Sequence, residues 1–155
     1  MAEPDRRDLK FASMADVTAD IGQLAGGEVR VTGHHSFAEI VRHLAITNEM
    51  LTGGPVPPKL PWYMRLAMPF MRKSILENPV KPGFKLPTDQ MQSFFWPTEP
   101  IDVTEAVARF NSSAERYETQ GPPSTHPIFG SAEPETINTM LLRHAAMHLG
   151  FAHPA

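Results

Sequence analysis

Apolar positions along this chain recur mostly with the three-to-four-residue period of a helix, in segments divided by glycine and proline. A first helix is expected over about 14–25, opened by Ser13 with Asp16 three residues on, carrying Val17, Ile21 and Leu24 on one face, and stopped by Gly26-Gly27. A second, over about 36–52, has a capping-box signature in Ser36 and Glu39. Its stripe runs through Phe37, Ile40, Val41, Leu44, Asn48 and Leu51 before Gly53-Gly54. A third covers about 102–118, where Val103, Val107, Phe110, Ala114 and Tyr117 recur at the near-heptad spacing that suits packing along a bundle. The last covers about 134–150, with Pro134 at the first helical position. Between the second and third lies a long proline-rich connector, 55–100, carrying extra short helical pieces between 62 and 96, with Pro69 expected to kink or divide the first. Val29 to Thr32 reads as a short extended crossing, and no longer β-alternation appears. The pattern predicts an all-α chain: an N-terminal extension over 1–12 and one helical domain over 13–153.

The last helix carries an anomaly. Its stripe 137, 140, 141, 144, 148, 151 puts His144 and His148 where hydrocarbon is expected. A buried imidazole needs a hydrogen bond or a metal, and residues at i and i+4 sit one above the other, close enough to share an ion. H-A-A-M-H lacks the Glu of the zinc-peptidase H-E-x-x-H motif. His43, on the flank of the second helix at the boundary of core and solvent, is the candidate third ligand. The competing reading keeps all three histidines hydrogen-bonded in a metal-free core.

Composition narrows the chemistry. The 155 residues suffice for one domain with a hydrophobic core. With no cysteine there is no disulfide, thiolate ligand or cysteine nucleophile, so any metal is held by nitrogen and oxygen. A net charge of −3 offers no electrostatic case for nucleic acid or an anionic membrane. No apolar run has the length of a membrane span, and Arg6-Arg7 lacks the apolar segment of a twin-arginine signal, so cytoplasmic residence is expected. Neither a G-x-S-x-G elbow nor a phosphate-binding glycine loop occurs. Around the three histidines, Glu39, Thr47, Asn48 and His126 are candidate outer contacts, Glu39 being the more natural capping-box partner. His34 and His35 read as a polar entry turn and His153 as exposed. Trp62, Phe70, Phe94, Phe95 and Trp96 line a pocket, form a dimer contact or, for most of them, cover the core, and the apolar surplus of 62–77 and 91–96 predicts a homodimer.

V-R-H-L-A (41–45), H-P-I-F-G (126–130) and L-R-H-A-A-M-H-L (142–149, with Leu141 before it), in this order around a long connector, resemble the DinB/YfiT-like superfamily. K-L-P-W (59–62) and P-G-F-K-L-P (82–87) resemble a branch of short uncharacterised bacterial proteins within it. That resemblance implies a four-helix bundle with a metal at one end of its core, held by His43, His144 and His148. Three imidazole nitrogens suit zinc or nickel best, with iron or copper as further options. A low-molecular-weight thiol or other small-molecule substrate follows from the resemblance, in transferase, isomerase or hydrolase chemistry. The alternative is a bundle that is only stabilised by metal, or metal-free, and serves in interaction or stress. Relatives often carry His where this chain has Met147 and Gln where it has Phe151.

Overall fold

Ser13 accepts a hydrogen bond from the Asp16 amide and opens α1, Met14–Ala25, which buries Met14, Val17, Ile21 and Leu24. A computed structural model describes residues 5–155. The expected extension falls partly on residues 1–4, outside those described. From Asp5 onward the chain crosses the helices: the Arg7 guanidinium forks onto both oxygens of Asp20 and reaches the Leu149 carbonyl. Leu9 and Phe11 pack against the core.

The capping box forms as expected. The Ser36 amide donates to Glu39 Oε2 at 2.6 Å and the Glu39 amide to Ser36 Oγ at 3.2 Å, starting α2, Phe37–Leu51. Instead of one apolar face, α2 buries every residue except Glu39 and Glu49. It is the central helix, which is why His43 lies inside the protein and not at its border. The connector forms one continuous helix α3, Trp62–Glu77, through Pro69, and then α4, Asp89–Phe95, capped by Thr88. Pro69 is exposed and leaves α3 undivided. Helix α5, Val103–Gln120, begins at Asp102, whose side chain accepts from the Glu105 amide, and buries Ala106, Phe110, Ser113, Ala114 and Tyr117. Val103, expected on this face, is 37 % exposed, and Ala106 takes its place.

The Val29–Val31 segment is strand β1, and its partner was not legible in the sequence. Beyond the hairpin Thr125–His126 (β2) and Gly130–Ser131 (β3), the last helix α6 covers Pro134–Leu149, and the chain then returns as β4, Ala152–Pro154. Strand β4 pairs antiparallel with β1, Arg30 opposite His153. This pairing buries His153, contrary to the exposure expected of it, with its Nε2 3.2 Å from the Asp5 carbonyl oxygen. The described chain is therefore mostly helical with two small strand pairs. No helix among the described residues is long and apolar enough to cross a membrane.

Helices α1, α2, α5 and α6 supply Ile21, Val41, Phe110, Ile137 and Leu149 to a shared core, each at most 1 % exposed. Phe110→Ala would leave a cavity there and is expected to cost about 3–5 kcal/mol. Urea denaturation should show a lower midpoint at unchanged slope, while metal content stays as in the parent protein.

Candidate metal centre

The three candidate ligands converge. His144 Nε2 lies 3.2 Å from His43 Nε2 and 3.1 Å from His148 Nε2, and ligand atoms of all three fall within 4.8 Å of one another. Helix α2 delivers the first ring, and successive turns of α6 deliver the other two. The rings stand at 61°, 75° and 87° to one another, splayed about a common point and not stacked.

Protonation follows from the partners. His43 Nδ1 is 2.8 Å from the Phe95 carbonyl oxygen, which only accepts, so Nδ1 carries the proton and Nε2 presents a lone pair. That carbonyl is free because Phe95 ends α4, where no following turn uses it. Burial, then the nearby His144, holds His43 well below its ordinary pKa. Burial alone brings His144 down to about 4, and burial with its imidazole neighbours holds His148 well below the usual range. All three are neutral at pH 7. One imidazole nitrogen has a single in-plane site, so His144 Nε2 cannot hydrogen-bond well to both neighbours at once. Three neutral Nε2 atoms at these spacings suit a shared cation, since tetrahedral bonds of about 2.0–2.1 Å set nitrogens about 3.3 Å apart.

The outer contacts sort differently from expectation. Glu39 serves the capping box, which holds its carboxyl below the usual range through the Ser36 amide. Thr47 donates back to the His43 carbonyl at 3.0 Å, one turn along α2. Asn48 points elsewhere: its amide donates to Ser113 Oγ at 3.2 Å, between α2 and α5. His126 is buried near His144, its pKa lowered to about 4 by burial and then by that neighbour. Its Nδ1 accepts the Ile128 and Phe129 amides, so it braces the β2–β3 turn and is not among the converging nitrogens.

Three further side chains shape the site, none of them assigned to it by the sequence. Trp96 stacks on His43 at 3.9 Å between ring centroids, and His35 stacks on the opposite face of Trp96 at 3.6 Å. The entry-turn histidine thus closes a sandwich over the site. Arg42, buried beside His43 in sequence, donates to the carbonyls of Pro97 and Glu99 and clamps the strand of chain that carries Phe95 and Trp96. No local pattern joins residues 35, 42 and 96, although F-F-W-P at a helix end was a visible aromatic cluster. Met147 lines a cleft shared with residues 6–12, and Phe151 packs on Gly33 with Arg6 over its ring.

A family model described as "Protein of unknown function (DUF1569)" matches residues 3–155. No curated protein matches the chain. Nor does any solved structure.

Proposed function

The chain belongs to the DUF1569 family, and from its three converging imidazoles we propose that it is a divalent-metal-binding protein with a mononuclear site of His43, His144 and His148. The observation that carries this is the mutual approach of three neutral Nε2 atoms, one fixed in its tautomer by the Phe95 carbonyl. A hydrogen-bonded, metal-free core is a poorer account, because the single in-plane site of His144 Nε2 would have to pair with both neighbouring rings at once.

The order of elements supports the finer fold reading, a four-helix bundle of the DinB/YfiT-like kind formed by α1, α2, α5 and α6. One ligand then comes from an early helix and two from the last. Three neutral nitrogen ligands leave a divalent ion with open positions, the arrangement of a catalytic site. Zinc or nickel suits the donor set best. An ion held there would supply Lewis acidity toward a bound water, carbonyl or thiolate. His144 and His148 are only half-buried, unlike His43, which supports access to this side of the site. We therefore favour a metal-dependent enzyme, a transferase, isomerase or hydrolase, with a low-molecular-weight thiol as the substrate class suggested by the resemblance. Trp96, lying flat on His43, favours a second reading in which the site only stabilises the fold.

Elemental analysis after metal-replete expression should find close to one equivalent of a transition metal. In the cobalt-substituted protein, adding a small thiol should change the visible spectrum, since an open position is replaced by sulfur. No metal sinks both readings, and metal with a spectrum indifferent to thiol, azide and pH sinks the enzymatic one.

A further inference from the structure

Helix α3 is apolar on the wrong side. It buries only Met68 and Leu76, while Trp62, Leu66 and Phe70 form an i, i+4, i+8 stripe that is 71 %, 67 % and 88 % exposed. Tyr63 and Met71 widen the stripe. Of the eight large hydrophobic residues exposed among the described residues, seven lie between Val56 and Phe84. Five of them lie on α3 and two on its flanks, a concentration that scattered surface residues do not explain.

Charge is distributed just as unevenly. Between Val56 and Leu86 stand Lys59, Arg65, Arg72, Lys73, Lys81 and Lys85, with Glu77 the lone acid: six positive, one negative, net +5. The whole chain has 14 basic and 17 acidic residues, so the remainder carries 8 and 16, net −8. The small overall charge of −3 conceals a strongly basic segment whose six cationic side chains are all exposed.

We propose that α3 and its flanks form a peripheral docking surface for an anionic lipid bilayer, with Trp62, Leu66 and Phe70 entering the interface and the surrounding lysines and arginines meeting the headgroups. Aromatic and aliphatic residues on one face, with Lys and Arg beside them, are the composition of helices that lie in a membrane plane. Long basic side chains can lie along the hydrocarbon while their charges stay among phosphates. The surface is one face of a helix: most of α3 is exposed, and the helix packs on α6 between proline-rich segments 55–61 and 78–87. Peptide partners are usually taken in grooves or along sheet edges. A second copy meeting the same face across a two-fold axis would oppose +5 to +5. The aromatic residues of 91–96 do not extend the face, since Phe95 is buried in the core and Phe94 and Trp96 pack against it.

The test is cosedimentation with vesicles of phosphatidylcholine, with or without about 30% phosphatidylglycerol. The protein is expected to partition onto the anionic vesicles, to be released by salt, and to bind neutral vesicles weakly. Trp62 emission should shift to the blue on binding, a shift that Trp62→Phe removes. Phe70→Ser and Leu66→Ser alter exposed positions and should each lower partitioning by about tenfold, with Arg65→Glu/Lys73→Glu acting on the anionic vesicles alone. Three outcomes overturn the proposal: no binding to anionic vesicles at low salt, binding unaffected by these variants, or a stable dimer that Phe70→Ser converts to monomer. The last would assign the face to a second copy.

Discussion

His144→Ala is expected to abolish stoichiometric metal binding. His144 Nε2 is the atom within 3.2 Å of both other ligands, so its loss leaves two imidazoles with no common neighbour between them. Even removing an outer partner of a ligand typically costs about 10–100-fold in affinity, and removing the ligand should exceed that. The thermal consequence is separable from the packing one. An ion present at about a thousand times its dissociation constant adds roughly 4 kcal/mol to the native state. For a chain of this length that raises the melting temperature by on the order of 10 °C. The wild type should lose this increment when a chelator is added, whereas His144→Ala should melt at one temperature with or without it. His153→Ala provides the contrast: its ring is buried in β4 beside the Asp5 carbonyl, so it should lower stability and yet keep the chelator-sensitive increment. A wild-type melting curve indifferent to chelator, in protein found to be free of metal, would retire the site.

The metal-free protein is expected to lose most of its stability between pH 7 and pH 4. Four imidazoles, those of His43, His126, His144 and His148, are held neutral in the native state, first of all by burial. In the unfolded chain each titrates near 6.5. Above that pH both states bind equally few protons. Below it the unfolded state takes up protons that the native state refuses, so stability is full above about 6.5 and falls as pH falls toward the native values. His126 and His144 at about 4 each correspond to a loss on the order of 3 kcal/mol once the lower pH is reached. Total stability of a domain is about 5–15 kcal/mol, so two such losses with His43 and His148 added should unfold it in mild acid. Bound metal competes with protons for the same nitrogens, so the metal-loaded protein should resist to lower pH, in a manner dependent on metal concentration. Denaturant midpoints at pH 7, 6, 5 and 4, with and without metal, measure both effects. A metal-free profile flat from pH 7 to 5 would show that these rings are solvated.

What was legible in the sequence was what local chemistry controls. Ser13 and Ser36 cap their helices through bonds to residues three positions on, and those starts were readable because a cap is a short-range interaction. The i, i+4 spacing of His144 and His148 placed two rings on one face of α6 for the same reason. Whether His43 joins them depends on α2 crossing α6 at that level, and only the tertiary structure decides it. So too with its burial: the helical pattern put His43 at an edge, but α2 is covered on all sides, and the covering segment, 95–99, is tied down by Arg42 more than fifty residues away. The sandwich of His35, Trp96 and His43 joins an entry turn, a helix end and a helix interior, a contact with no sequence period to reveal it. Strand β4 is three residues long, too short for alternation to be seen, and exists because β1 lies beside it. Pro69 divided α3 on paper, but a proline on the exposed side of a helix lets the rest of its ladder continue. Local bonding made the helices and their faces predictable from residues alone. The site's third ligand, its tautomer and its aromatic cover came from contacts between distant segments, which the packing of the whole chain selects.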